Sequence, residues 1–153
     1  MRFVFALLLL AATAAGSVHA AMPEPGPAWT PAEVVRIQLE ALRANGADDA
    51  GIATCFAFAS PGNRRVTGPL ARFARMIRQG PYALMLRYRD AEFHPVEVGS
   101  CVALQRVTLL DATMAVTYVF VLSRQGETAC AECCPGCWMT DGVYIEKVDR
   151  RVT

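Results

Sequence analysis

The sequence has few of the side chains that most often bind metal ions or act as general bases. Its 153 residues include only two histidines, His19 and His94, and His19 lies in the apolar N-terminal segment. One remaining imidazole excludes a histidine-rich metal site. A general base at His94 would need an orienting carboxylate, such as Glu92 or Asp141. Because Pro95 follows, we favour a bend between two strands as the role of His94.

An excess of charge of one sign is also lacking. Fifteen arginine and lysine residues, of which only one is lysine, stand against fourteen aspartate and glutamate residues, a formal charge of +1 at pH 7. A nearly neutral chain exerts little long-range attraction on nucleic acid or on an anionic membrane. We therefore predict no nucleic-acid partner. Internal repeats and low-complexity segments are absent from the sequence as well.

Long apolar runs are lacking beyond the first twenty residues. Arg2 precedes the run Phe3 to Ala15, and small residues at Val18 and Ala20 fit a signal-peptidase site. This pattern predicts a secretory signal peptide over residues 1–20. The run is shorter than the roughly 20 residues of a membrane span, and we predict no span after cleavage. We expect a secreted or secretory-lumen protein; in an alga, the same signal would also serve the secretory route to the plastid.

The rest of the chain fits a single domain. Removal of twenty residues leaves 133 (153 − 20), enough for one hydrophobic core. Residues 21–29 are rich in proline and predict an extended, mobile leader. We place one α+β domain at residues 30–150, with a cysteine-rich hairpin loop at 125–137. A monomer or a homodimer is expected.

Three helices are predicted before residue 80. The segment Thr30-Pro31-Ala32-Glu33 contains the cap, the first-turn proline and the acidic residue of a capping box. A second helix is predicted over residues 49–59 and ends at the turn Ser60-Pro61-Gly62-Asn63. A third begins at Pro69, because apolar residues recur from there at helical spacing.

Strand-like patterns follow residue 80. Candidate strands cover residues 82–88, 92–98, 101–110, 114–123 and 137–148. Asp111-Ala112-Thr113 is predicted to join two of them in a tight hairpin. Three helices followed by four or five antiparallel strands predict an α+β fold with the helices packed on a curved sheet. Such a sheet leaves a concave mouth, which is a common place for a ligand.

Four of the six cysteines lie within eight residues, in the run Cys-Ala-Glu-Cys-Cys-Pro-Gly-Cys over residues 130–137. Disulfides are the default in an oxidising compartment, so we predict bridges at Cys55, Cys101, Cys130, Cys133, Cys134 and Cys137. The fifteen possible pairings stay open. Structural zinc sites space their cysteine pairs about a dozen residues or more apart, and a redox dithiol needs a following helix. We therefore predict no metal and no cofactor.

The stretch Phe56-Ala57-Phe58-Ala59-Ser60-Pro61-Gly62-Asn63-Arg64, with Phe73 and Met76 after it, resembles the domain of unknown function 4864 family of bacteria and photosynthetic eukaryotes. The helix over residues 34–42 and the run Cys137-Trp138-Met139-Thr140-Asp141 resemble its plant and algal branch. The resemblance covers roughly residues 31 to 148. It implies a fold similar to the cone-shaped nuclear transport factor 2-like fold, and no assigned activity.

Two groups of polar and aromatic residues are candidates for a site. Ser60, Asn63 and Arg64 would form a polar rim of the concave mouth, with Arg64 holding an anionic group. We favour the alternative, in which Ser60 and Asn63 satisfy the backbone of a turn. A second group of strand residues is predicted to line the concave face: Tyr88, Gln105, Tyr118, Trp138 and Asp141.

Three functions are compatible with these features, and the first is favoured. The first is a disulfide-stabilised module that binds an unknown small molecule or protein in a cone-shaped pocket. The second is a small isomerase- or dehydratase-like enzyme that uses Tyr118 or Tyr88 with Asp141. The third is a redox or metal-binding protein that acts through the loop Cys130–Cys137.

Intact mass spectrometry of the chain made in a secreting host, without reductant, tests these predictions. We expect an N-terminus at Ala21, no bound metal, and a mass lowered by two hydrogens for each disulfide. An intact N-terminus at Met1 would contradict the signal peptide. Bound zinc would move the search for function to the cysteine-rich loop.

Overall fold

A computed structural model describes residues 22–126 and 134–150, and the predicted signal peptide, Cys130 and Cys133 lie outside these ranges. The predicted α+β class is confirmed, with the helices before the sheet. The helices are α1 (Pro31–Arg43), α2 (Ala50–Ala57), α3 (Pro61–Thr67), α4 (Leu70–Ile77) and a 3₁₀ helix (Gly80–Leu86). The strands are β1 (Asp90–Phe93), β2 (Glu97–Val98), β3 (Val102–Leu110), β4 (Met114–Arg124) and β5 (Trp138–Arg150). In the described ranges, no helix has the length and apolar character of a membrane span.

Helix α1 begins as the sequence predicts. The Thr30 hydroxyl accepts a hydrogen bond from the Glu33 backbone N–H at 3.3 Å, and the Thr30 N–H donates to the Glu33 carboxylate at 2.8 Å. These two bonds complete a capping box. The buried face of α1 contains Val34, Val35, Leu39 and Leu42, each at most 1% exposed. This apolar stripe is the face that packs into the core.

The segment Ser60-Pro61-Gly62-Asn63 is a helix start, so the predicted closing turn is wrong. The Ser60 hydroxyl accepts from the Asn63 N–H at 3.2 Å, and Pro61 occupies the first position of α3. Serine and asparagine stabilise turns and helix N-termini by the same short side-chain-to-backbone bonds. Sequence patterns alone therefore do not separate the two.

The predicted strand over residues 82–88 is also wrong, because residues 80–86 form a 3₁₀ helix. Gly80 has a positive φ of 53°, which redirects the chain after α4. Pro81 then fits a first helical turn, where its missing N–H is not needed. Leu84 and Met85 are buried at 0% and 2% exposure. A short apolar run is compatible with either a strand or a helix. Here tertiary packing selects the 3₁₀ helix.

The five strands form one antiparallel sheet. Its order is β1-β3-β4-β5, with β2 paired to β3 beside β1. The predicted strand over residues 92–98 is divided into β1 and β2 at the His94-Pro95 bend. β4 and β5 pair along their whole length, from Met114↔Arg150 to Arg124↔Trp138, with two register shifts. Such bulges bend a strand and increase its twist, and they curve this side of the sheet.

The helices cover one face of the sheet. Alternate residues of β3 and β4 on that face are almost fully buried: Ala103, Gln105, Val107, Leu109, Val116, Tyr118, Phe120 and Leu122. Helix α1 packs against α2, β3 and β5. The α1–α2 contact is close, because a Cβ built on Gly51 lies 2.0 Å from the Ala41 carbonyl oxygen. A residue larger than glycine at position 51 would push the two helices apart.

Substitution of Gly51 tests this contact. We expect Gly51→Ala to lower the free energy of unfolding by about 3 kcal/mol through overpacking. Gly62→Ala is the matched control, because its Cβ would lie 3.7 Å from the nearest atom outside its chain neighbours and alanine favours helix by about 1 kcal/mol. Urea unfolding measures both. Equal stability of the two variants would contradict the close helix contact.

Candidate functional site

A cavity of about 570 Å³ lies between the helices and the sheet. Its wall is largely apolar and is formed by residues of all four α-helices, the 3₁₀ helix, β4 and β5. The apolar residues include Leu42, Phe73, Met76, Ile77, Met85 and Phe120. Small-molecule sites in proteins commonly have volumes of roughly 300–1,000 Å³ and mostly apolar walls, so this cavity has the size and character of a ligand site.

Backbone hydrogen bonds to Thr140 form one wall of the cavity. The Thr140 N–H donates to the Phe58 carbonyl at 2.9 Å, and the Ser60 N–H donates to the Thr140 carbonyl at 2.9 Å. The Asn63 amide Nδ2 also donates to the Thr140 carbonyl, at 3.0 Å. The α2–α3 corner therefore adds a short parallel pairing to β5, seen as a bridge between Ala59 and Thr140.

A buried polar chain lies behind this wall. The Thr140 hydroxyl donates to Gln38 Oε1 at 2.7 Å, and Gln38 Nε2 donates to the Cys55 carbonyl at 3.1 Å. Gln38 is only 2% exposed and Thr140 only 1%. Buried polar groups that keep their hydrogen bonds join elements specifically, and this chain joins α1, α2 and β5. Gln38 was not among the residues predicted from the sequence, although its position one turn after Val34 on the apolar stripe was an available signal.

The cavity is almost free of charge. Among its described lining residues only Asp141 carries a formal charge, and this residue is exposed. Burial raises the pKa of the Cys55 thiol to about 12, so no thiolate nucleophile forms there at neutral pH. Burial, followed by a smaller effect of Tyr144, also raises the pKa of Tyr82. Both groups are therefore neutral under physiological conditions.

Three of the predicted site residues line the cavity: Ser60, Asn63 and Asp141. Ser60 and Asn63 both bond backbone groups, but at a helix start and not at the predicted turn, since Ser60 caps α3 and Asn63 donates to the Thr140 carbonyl. Arg64 belongs to α3 but is not a lining residue. Trp138 is partly buried against the core and pairs with Arg124 at the start of β5.

The predicted tyrosine–aspartate pair is not assembled. Tyr118 is fully buried and its hydroxyl donates to the Pro81 carbonyl at 2.6 Å. Tyr88 lies at a separate cavity of about 170 Å³ with Arg36 and Arg43. Asp141 lies within a register shift, because Val121 pairs with Gly142 and Leu122 pairs with Thr140. This extra residue breaks the alternation of β5, and the strand pattern alone did not contain that information.

The cavity-lining tyrosines are instead Tyr82 and Tyr144. The Tyr82 hydroxyl donates to the Val143 carbonyl at 3.0 Å, which attaches the 3₁₀ helix to β5. Tyr82 was not predicted as a site residue, because the pattern of its segment favoured a strand. Gln105, proposed for the concave face, is buried, and its amide donates to the His94 and Arg106 carbonyls.

His94 is not arranged as a general base. Its Nε2 lies 3.0 Å from the Thr108 hydroxyl, which is in turn 3.0 Å from the Thr117 hydroxyl. The carboxylates of Glu92 and Asp141, predicted as orienting groups, do not take part in this chain. The imidazole therefore joins a hydrogen-bonded chain of threonines on β3 and β4, away from the cavity.

The four cysteines that the structure describes divide into two classes. Cys134 and Cys137 form a disulfide with 5.4 Å between their Cα atoms, whereas Cys55 and Cys101 have free thiols. The predicted bridges at Cys55 and Cys101 are therefore wrong. Cys55 is enclosed in the core and has no second cysteine beside it among the described residues. β5, and not a helix, follows Cys137, and the described residues contain no cluster of three or more metal ligands.

The buried Cys55 thiol predicts a loss of stability at alkaline pH. The unfolded chain ionises this group near its normal pKa of 9.0, whereas the folded chain keeps the proton up to about pH 12. Between these values the unfolded state binds fewer protons, so the free energy of unfolding falls by about 1.4 kcal/mol per pH unit. The tyrosines with raised pKa begin to add to this fall as the pH approaches their ordinary value of 10.

Unfolding in urea between pH 9 and pH 10 measures this slope. Cys55→Ala is expected to remove the part of the slope due to the thiol and leave the smaller part due to the tyrosines, and Cys101→Ala, at an exposed free thiol, is expected to retain the whole slope. A Cys55→Ala variant with the slope of the original chain would contradict the assignment.

Comparison with known proteins places the chain in one family. Residues 29–152, most of the chain, match the family described as Domain of unknown function (DUF4864). Neither a curated protein nor a solved structure matches the sequence significantly. The match includes the Ser60–Asn63 motif, the α2–α3 corner that this motif attaches to β5, and every lining residue of the cavity. The chain is therefore a member of the DUF4864 family.

Proposed function

We propose that this protein is a secreted or secretory-lumen binding module whose cavity takes a small, uncharged molecule with an apolar body. The observation that carries the proposal is the cavity of about 570 Å³ with a largely apolar wall. Burial of apolar ligand surface supplies about 25 cal/mol per Å². A cavity of this size therefore provides enough contact area for useful affinity without a covalent or ionic bond.

The few polar groups in the cavity wall support an uncharged ligand. The polar side chains of the wall already form hydrogen bonds with one another and with backbone groups; they are Gln38, Ser60, Asn63 and Thr140. An anionic ligand would find no arginine, lysine or histidine among the described lining residues. Transfer of a charge into such a site without a partner is very costly. Asp141, which is exposed, is the one lining residue that favours a polar or cationic end.

The same features favour binding over catalysis. An enzyme of the isomerase or dehydratase type needs a base with a pKa near the working pH. In the cavity the Cys55 thiol has a pKa far above neutrality, and burial also raises the pKa of Tyr82. Both groups keep their protons at pH 7. A site of this kind holds a ligand by shape and apolar contact.

The predicted location and architecture complete the proposal. The disulfide Cys134–Cys137 fits an oxidising compartment, as the N-terminal sequence predicts. The helices against a curved antiparallel sheet support the cone-shaped, nuclear transport factor 2-like architecture. Membership of the plant and algal branch rests on the residues of α1 and of the run Cys137–Asp141, and it belongs to the same proposal.

An uncharged naphthylamine dye, whose fluorescence rises in apolar surroundings, tests the proposal. We expect saturable binding of one dye per chain. Val66→Trp should weaken binding about tenfold or more, a loss of at least 1.4 kcal/mol, because Val66 lines the cavity and a bulky ring there obstructs it. Val66 is 70% exposed, so the substitution does not disturb the core.

Val98→Trp is the matched control. Val98 is 55% exposed and lies on β2, away from the cavity, so the same substitution there is expected to leave dye affinity unchanged. The proposal fails if the dye does not saturate, or if both variants bind as the original chain does.

A further inference from the structure

The two edges of the sheet are built differently. One edge consists of β1 and β2, which have four and two residues and are separated by the bend at Pro95. Short edge strands and proline are common protections against pairing with another chain. The other edge is β5, with thirteen residues, and its last five residues, 146–150, are all exposed. The described chain contains no strand on the outer side of this segment.

The segment 146–150 is also held in a strand conformation before any partner arrives. Lys147, Val148, Asp149 and Arg150 pair with Thr117, Val116, Ala115 and Met114 of β4. In an antiparallel strand, alternate residues direct their N–H and C=O groups to opposite sides. The pairing with β4 therefore uses one side, and the other side offers a ready row of donors and acceptors. Because this edge is already ordered, pairing with another strand loses little conformational entropy.

The charges on this segment are complementary to a second copy of itself. In an antiparallel pair with its twofold axis at Val148, Lys147 of each copy lies opposite Asp149 of the other. Glu146 is the extra residue of the bulge before Lys147 and is bound to Arg106 at 3.1 Å, so it takes no part in this pairing. Lys147 and Asp149 already form an ion pair at 2.8 Å within one chain. Two copies would create a group of four charges of alternating sign on one face of the joined sheet. Opposite charges in directly opposed positions stabilise a pair of strands.

The two neighbouring registers lack these complementary charges. A twofold axis at Lys147 places the two lysines opposite each other, and an axis at Asp149 does the same with the two aspartates. Like charges in opposed positions are destabilising. Charged side chains usually keep an edge strand free, but this order of signs favours the axis at Val148 over an axis at either adjacent residue.

We propose that the protein forms a twofold symmetric homodimer through antiparallel pairing of residues 146–150 of β5, with Val148 at the axis. The two sheets then continue into one across the interface, and each copy contributes the same surface, as a twofold interface requires. Val148, which is 42% exposed, contacts Val148 of the other copy at the axis. The interface lies outside the cavity, so the dimer and ligand binding are tested independently of each other.

Charge exchange at two positions tests the dimer. Sedimentation equilibrium of the purified protein is expected to give twice the chain mass at high concentration. Lys147→Asp places aspartate opposite aspartate twice, and Asp149→Lys places lysine opposite lysine twice. Each single substitution is expected to weaken the dimer by about tenfold or more.

Two restorations exclude a loss of folding as the cause. The double substitution K147D/D149K again places opposite charges together and should recover the dimer. An equimolar mixture of the two single variants should form a mixed dimer, although neither variant pairs with itself. Higher salt should weaken the original dimer, because exposed charges are screened.

A monomeric original chain at every concentration would overturn the proposal. So would a dimer whose dissociation constant is the same in both single variants, since that dimer would use another surface. Failure of both the double variant and the mixture to recover the dimer would have the same meaning.

Discussion

The attachment of the α2–α3 corner to β5 at Thr140 is the interaction on which the rest of the structure depends. The backbone of this one residue pairs with Phe58 and Ser60, and its carbonyl also accepts from Asn63. Its hydroxyl donates to Gln38, which in turn holds the Cys55 carbonyl. Three helices are thereby fixed to one point of the sheet. Buried polar groups that satisfy one another in this way favour a single arrangement.

This arrangement explains both the presence of a cavity and its chemistry. The α2–α3 corner is attached to the sheet at Thr140, and the 3₁₀ helix is attached to it by the Tyr82–Val143 and Tyr118–Pro81 hydrogen bonds. Apolar side chains line the cavity between these two attachments and leave its centre open. The polar groups at the edge of the cavity form the hydrogen bonds that fix its wall. The thiol of Cys55 is protonated because it is buried. The described wall is therefore mainly apolar, with Asp141 as its charged residue.

Three features of the molecule lie along β5. Its start follows the Cys134–Cys137 disulfide, its middle receives the helical corner at Thr140, and its end is an open edge with alternating charges. The register shift at Asp141 divides the first half from the second. One half of the strand is thus enclosed by helices, and the other half faces outward. β5 therefore lines the cavity in one part and is exposed in another.

The sequence by itself determined the elements whose signals are local. The capping box at Thr30 and Glu33, the hairpin at Asp111–Thr113 and the alternation of β3 and β4 depend on neighbouring residues, so the α+β class followed from them. Only the tertiary structure decided between helix and strand at Tyr82, between turn and helix at Ser60, and between inside and outside at Asp141. In each case a distant partner or a one-residue bulge made the choice. The pairing of the cysteines was decided in the same way, because a disulfide needs spatial proximity that spacing along the chain does not provide.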